Sequence, residues 1–259
     1  MNIYWLGLDE NCQPPATSGK CIEYPTHFRI DDVLFSAAAM GANVVRAHTL
    51  GISTGNPKSF QQNAGSENQF NDDALEVIDY ALYRGAQLGL RFIVPLTDNY
   101  AWYHGGYHDF VDYAISAANL GESVDNCNWR PSRVVSGDDS CMAFWTSNSS
   151  TGLGTVPIDG FKTYVSTLLN HRNRYTGVLF KDDPAILAWE SGNELQILGE
   201  PFVTWTADLA RFIKVDVGAQ QLVLDGRDQV HRGIDDAALA AEHVDMFTDH
   251  YYERFVRLR

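Results

Sequence analysis

Long apolar runs are missing from this 259-residue sequence. No stretch approaches the ~18–20 apolar residues that a membrane-spanning helix needs. Positive charge is scarce: 19 Lys and Arg stand against 33 Asp and Glu, for a formal net charge of −14. Phosphate backbones and anionic lipid surfaces would be repelled, so neither a nucleic-acid nor a membrane partner is expected. A neutral polymer such as a polysaccharide fits more easily. No glycine-rich phosphate loop or dinucleotide fingerprint occurs, so no nucleotide cofactor is expected. No G-x-S-x-G elbow occurs either. The four cysteines, Cys12, Cys21, Cys127 and Cys141, lack the C-x2-C spacing and nearby histidines of a structural zinc site. Residues 1–25 hold no basic stretch followed by an apolar one, so no signal peptide is expected within this sequence, which is either a mature chain or one that lacks its true N-terminus. There is no repeat of 20–50 residues, no low-complexity tract and no Pro/Gly-rich linker. One domain over residues 1–252 is expected, followed by a short, atypical tail, "ERFVRLR", at 253–259.

What is present is alternation. "NIYWLGL" (2–8), "NVVRAHT" (43–49), "RFIVPLTD" (91–98), "AILAWESGNE" (185–194), "QLVLDGRD" (221–228) and "DMFTDHYY" (245–252) read as strands. Helical spacing marks 28–41, 71–89, 160–173, 201–218 and 235–243, with Asn71 as a cap before an acidic first turn. Residues 99–158 read as one long polar loop. Several strands are continuous apolar runs, as expected when both faces are covered, so the pattern predicts a parallel α/β sheet. Polar, irregular sequence gathers after nearly every strand. That decoration favours a (β/α)8 TIM barrel, whose site lies on the face at the strands' C-terminal ends. Only six strands are found where such a barrel needs eight.

All four cysteines lie in polar segments, which suits two local disulfides, Cys12–Cys21 and Cys127–Cys141, although four cysteines allow three pairings. With a sequon at Asn148, this points to a secreted, extracellular chain. Aromatics make up 12% of the residues. Several, Trp102, Tyr103, Tyr107 and Trp129, sit in polar sequence where exposed rings could stack on sugars.

The chemistry-bearing residues cluster at strand ends. Glu194 closes the fourth strand beside Asn193 and is a candidate general acid. Strict alternation would put Glu190, Gly192 and Glu194 on one side and Asn193 on the other. Glu190 lies deeper and is expected to be neutralised by an arginine, with Arg46 the nearest partner. Arg46 and His48, two apart, point the same way, and an arginine there can hold a carboxylate ionised and oriented. His250 and Tyr252 repeat that spacing at the sixth strand. His104 and His108, with Asp98 and Asp109 nearby, admit a metal reading. Barrel metallohydrolases, however, open with two histidines on the first strand, and none is there, so no metal is expected.

The segments "NIYWLGLDEN", "GANVVRAHTLGISTGNP", "LRFIVPLTDNYAWYHGG", "RYTGVLFKDDPAILAWESGNEL" and "TDHYY" resemble glycoside hydrolase family 5 of clan A, most closely its fungal endo-β-mannanase-like branch. The resemblance runs in order over most of residues 2–252. It implies a (β/α)8 barrel that hydrolyses β-1,4-linked mannan with retention. It also implies Glu194 as the acid/base, Asn193 as the sugar 2-hydroxyl ligand, Arg46 as the support of the nucleophile, and His250 and Tyr252 as the pair of the sixth strand. Trp102, Trp5, His48 and Asn99 are the substrate-binding candidates. In this family the nucleophile is a Glu ending strand seven, and the segments read here stop at strand six. The expectation is therefore a C-terminally truncated, monomeric enzyme, poorly active as it stands. A β-glucan or other hemicellulose as substrate remains open, as does a catalytically dead carbohydrate-binding barrel.

Overall fold

The computed structural model describes residues 1–10, 22–50, 58–63, 69–100, 102–118, 139–146, 152–196, 200–228, 234 and 236–250. Cys12, Cys21, Cys127, Trp129, Asn148, Tyr252 and the tail at 253–259 lie outside the described residues.

Five strands form one all-parallel sheet that curves as half of a barrel. They are β1 (Val44–Arg46), β4 (Arg91–Pro95), β5 (Ile186–Glu190), β6 (Leu222–Asp225) and β7 (Met246–Phe247), paired in that order. The register runs through Val45↔Phe92, Ile93↔Ala188, Trp189↔Val223 and Leu224↔Met246. Between β1 and β4 the chain inserts a small antiparallel hairpin, β2 (Gln61–Asn63) with β3 (Gln69–Phe70), which the sequence pattern did not suggest.

Helices cross over between the strands: α1 (His27–Ala39), α2 (Asp72–Gln87), α5 (Val156–Leu169), α6 (Glu200–Arg211) and the short α7 (Asp236–Leu239). Asn71 caps α2, its side chain accepting from Asp73 N at 3.0 Å, ahead of Asp72 and Asp73 in the first turn. Thr26 caps α1 through Arg29 N. Gly41 and Gly89 follow the ends of α1 and α2 with φ of 87° and 75°, the left-handed geometry that glycine tolerates. At Gly85 in α2, an added Cβ would lie 2.3 Å from the Phe92 ring, so only glycine lets this helix approach β4 so closely.

Two expectations need correction. The segment 2–8 is not a full strand. Asn2 makes a single parallel bridge to Arg46, with Ile3 N donating to Arg46 O at 2.9 Å and Arg46 N to Met1 O at 2.8 Å. A turn at 4–7 then carries Leu6 and Leu8 into the core, which buries them as well as an extended run would. The region 99–158 is not all loop either: it holds α3 (Tyr107–Ala117) and α4 (Asp139–Met142). The buried residues Tyr107, Phe110, Val111, Ala114 and Ile115 of α3 follow helical spacing, and Asp109 folds back onto Gly106 N at 2.8 Å. His and Asp residues within that stretch disguised the period. Tyr107, read as a sugar-facing ring, is instead buried against Phe144 and Trp145. Those rings join Phe161, Phe202 and Trp205 in an aromatic core between α3, α5 and α6. Among the described residues, no helix is long and apolar enough to cross a membrane.

Candidate active site

The site grows from the end of β5. Its run Ile-Leu-Ala-Trp-Glu is buried almost throughout and delivers Glu190 to a position with no solvent exposure. Beyond it the chain must pass between its neighbours. A Cβ on Gly192 would sit 2.8 Å from the Thr97 methyl, and one on Gly226, past β6, would sit 1.7 Å from Gly192 O. These two glycines let the ends of β4, β5 and β6 converge. Asn193 N then donates to Thr97 O at 2.8 Å and Asn99 N to Asn193 O at 3.0 Å, extending the β4–β5 pairing by one bridge, Asp98↔Asn193.

Glu194 follows with φ of 51°. Left-handed backbone is costly for a residue with a Cβ, and such strain gathers at functional positions. It also overturns the alternation argument. Because β5 ends at Glu190 and Glu194 turns left-handed, Asn193 and Glu194 both line the same cleft.

Arg46, at the end of β1, organises the floor. Its Nε donates to Glu190 Oε2 at 2.6 Å and its Nη2 to Oε1 at 2.5 Å, the bidentate pairing expected from the sequence. Nη2 also reaches Asn193 Oδ1 at 3.0 Å, and Nη1 donates to His48 Nε2. Burial pushes the Glu190 carboxyl up from its ordinary value, and Arg46 pulls it back. Burial first, then the charge of Arg46, push the His48 imidazole down to about 2, so His48 is neutral at any ordinary pH.

The cleft above this floor has a volume of about 550 Å³, and Arg46, His48, Trp102, Asn193, Glu194 and His250 are among its lining residues. His250 Nδ1 stands 3.4 Å from Glu194 Oε1. Trp102 is 47% exposed, an open ring at the rim. The structure therefore gathers Arg46, His48, Trp102, Asn193, Glu194 and His250 in one cleft, together with Tyr103 and His104, which were also singled out from sequence. Two stand apart: Trp5 packs under the Arg29 guanidinium, 4.6 Å from its ring centroid, and Asn99 turns its Oδ1 to Gln196 N. Tyr4 lines the cleft in addition.

Sequence reasoning passed over two neighbours. Tyr100 hydrogen-bonds Glu194, and its hydroxyl is raised above the ordinary tyrosine value, by burial first and by the Glu194 charge second, so it stays a donor. Asp98, considered only as a metal ligand, is fully buried and accepts from His104 Nε2 at 3.0 Å and from Asn193 Nδ2 at 3.2 Å. Both stand in "LTDNY", just past β4, where strand-end position was the available signal.

The metal reading rearranges. His108 lies 3.5 Å from Asp109 and is not part of the set that converges. The set that converges is His48, Asp98 and His104, with ligand atoms within 4.8 Å of one another. His48 already accepts from Arg46, and Asp98 from His104 and Asn193. A guanidinium beside one ligand and donors on another suit a hydrogen-bonded network better than a cation.

A half-barrel of parallel strands with an Asn–Glu pair at a strand end, an Arg–Glu floor and a rim tryptophan defines a class: the barrel glycosidases. Residues 17–255 match the family described as GH family 5 beta-mannosidase-like. The chain belongs to glycoside hydrolase family 5. It is 28% identical over 246 residues to mannan endo-1,4-beta-mannosidase 4 of Oryza sativa subsp. japonica, covering 93% of this chain and 43% of that protein. It is 27% identical over 229 residues to mannan endo-1,4-beta-mannosidase 3 of Arabidopsis thaliana, covering 87% and 45%. Among solved structures, the family 5 mannosidase of Rhizomucor miehei superposes with a TM-score of 0.70 at 20% identity, covering 96% of this chain and 56% of its own. The endo-1,4-beta-mannanase of the same organism gives 0.67 at 25% identity, covering 98% and 66%. The chain thus spans a little under half the length of these curated relatives.

Proposed function

We propose that the cleft binds β-1,4-linked mannan and that Glu194 is the acid/base of a retaining, two-carboxylate glycoside hydrolysis. The observation that carries this is the convergence of Asn193, Glu194, Arg46 and His250 on one cleft at the strands' C-terminal ends. In this reading, Glu194 protonates the leaving glycosidic oxygen and later deprotonates the incoming water, Asn193 holds the 2-hydroxyl, and Trp102 offers a stacking face. Tyr252, outside the described residues, would complete the strand-six pair. The named activities of the rice and Arabidopsis relatives support mannan as the substrate. A retaining mechanism requires a second carboxyl about 5–5.5 Å from the first. In the family that carboxyl is a Glu at the end of the barrel's seventh strand, the strand after the one labelled β7 here, and it has no counterpart among the described residues, so this chain alone is proposed to bind mannan and to cleave it poorly.

Cleavage without the family nucleophile would contradict this, and binding without cleavage also fits a carbohydrate-binding barrel. The test is reducing-sugar release from β-1,4-mannan by the pure 259-residue chain, with and without a chelator. Little release is expected, unchanged by the chelator. Any rate present should fall by about 10²–10⁴-fold in Glu194→Gln; a rate that survives this substitution would remove Glu194 from the chemistry. Secretion, a monomeric state and the pairings Cys12–Cys21 and Cys127–Cys141 belong to the same proposal. Cys141 is disulfide-bonded, and its partner lies outside the described residues.

A further inference from the structure

Asn193 has four hydrogen-bonding capacities, two donors and two acceptor lone pairs. Arg46 Nη2 takes one lone pair at 3.0 Å. Asp98 takes one donor, with Asn193 Nδ2 at 3.2 Å from each of its carboxylate oxygens. A cation on the oxygen side and a carboxylate on the nitrogen side leave the amide a single orientation. Asp98 is itself held: Tyr100 N donates to its Oδ1 at 2.9 Å and His104 Nε2 donates to Oδ2 at 3.0 Å. Asp98 has no solvent exposure and His104 only 3%. Asp98 is not among the cleft's lining residues, whereas Asn193 is.

We propose that Asp98, backed by His104, is a positioning residue that fixes the Asn193 amide so that it presents an N–H to the sugar, and that this orientation underlies discrimination at the 2-position. The proposal rests on the mannan-binding function and deepens it. An asparagine at position 98 offers one acceptor oxygen where Asp98 offers two, so its NH2 must face the Asn193 amide, Tyr100 N–H or a His104 ring driven to the other tautomer. The Asn193 amide would then lose its fixed orientation.

The test uses the 259-residue chain with mannotriose and cellotriose, which differ in configuration at C2, by titration calorimetry. Asp98→Asn is expected to cut the ratio of the two dissociation constants by about tenfold or more. The exchanged double variant, Asp98→Asn with Asn193→Asp, restores a donor–acceptor pair at unchanged net charge but leaves position 193 with acceptors only. It is expected to recover thermal stability relative to Asp98→Asn and not to recover discrimination. An undiminished ratio in Asp98→Asn, or a restored one in the double variant, overturns the proposal. A parent chain that does not distinguish the sugars defeats the mannan reading instead. The Asn193 side-chain amide resonances, assigned by their loss in Asn193→Asp, then decide the positioning role. Two protons with distinct exchange rates in the parent, shifted or broadened in Asp98→Asn, are expected; equal rates in the parent, or unmoved resonances in the variant, overturn it.

Discussion

At the scale of single residues, the Arg46–Glu190 pair is where charge and burial compete most directly. Glu190 has no exposure and Arg46 little, so both are desolvated, and a bidentate contact compensates. Removing one partner strands the other. Arg46→Met is expected to cost about 3–5 kcal/mol in urea unfolding, and Arg46→Met with Glu190→Leu much less. Equal losses in the two would mean that the pair itself, rather than a stranded charge, carries the stability. His48 gives a second expectation. Its folded value of about 2 lies below the free value of 6.5. Between these, the unfolded chain binds a proton that the folded chain refuses, so stability present above pH 6.5 is lost progressively as pH falls toward 2. Glu190, raised on folding, works in the opposite sense. In His48→Gln, the fall of the urea midpoint from pH 6.5 to 4 should be shallower than in the parent; an equal or steeper fall would place the acid sensitivity elsewhere.

At the scale of elements, the ends of β4, β5 and β6 are built around close backbone approach. Gly226→Ala would set a Cβ 1.7 Å from Gly192 O and 2.7 Å from Glu190 Oε1. Its cost should reach or exceed the upper end of the ~1–3 kcal/mol of ordinary overpacking, with sugar binding lost as well. A variant with parental stability and binding would show that these strand ends have slack. The same elements explain what the sequence could tell. Strands buried on both faces, such as Ile186–Glu190, announce themselves as apolar runs, and Asn71 and Gly89 bracket α2 as capping chemistry requires. Short elements do not: β2 and β3 are two or three residues each, below any readable period. α3 was hidden because His108 stands in its buried stripe and Asp109 interrupts the apolar run beside it. In the site, Arg46, Asn193, Glu194 and His250 were legible because strand-end position alone brings them to one face. The left-handed turn at Glu194 and the hub at Asp98 were not, because both depend on contacts between β4 and β5 that no local pattern encodes.

At the scale of the whole molecule, the half-barrel is an open structure. Among the described residues, β1 has only the Asn2 bridge outside it, and β7 pairs with β6 alone. Unpaired parallel edges invite association with other chains. Light scattering of the pure chain tests the proposed monomer against these edges: a non-scattering monomer at high concentration is expected if the edges are covered in solution, and scattering that grows with concentration would contradict the monomeric state. The cleft, by contrast, is lined by the N-terminal segment, the end of β1 and the segments that follow β4, β5 and β7, all among the described residues. The most direct measurement is therefore chemical-shift mapping of mannohexaose on the labelled 259-residue chain. Saturable shifts centred on Trp102, Asn193, Glu194 and His250 are expected; no saturable shifts, or shifts centred elsewhere, would contradict a mannan site at these strand ends.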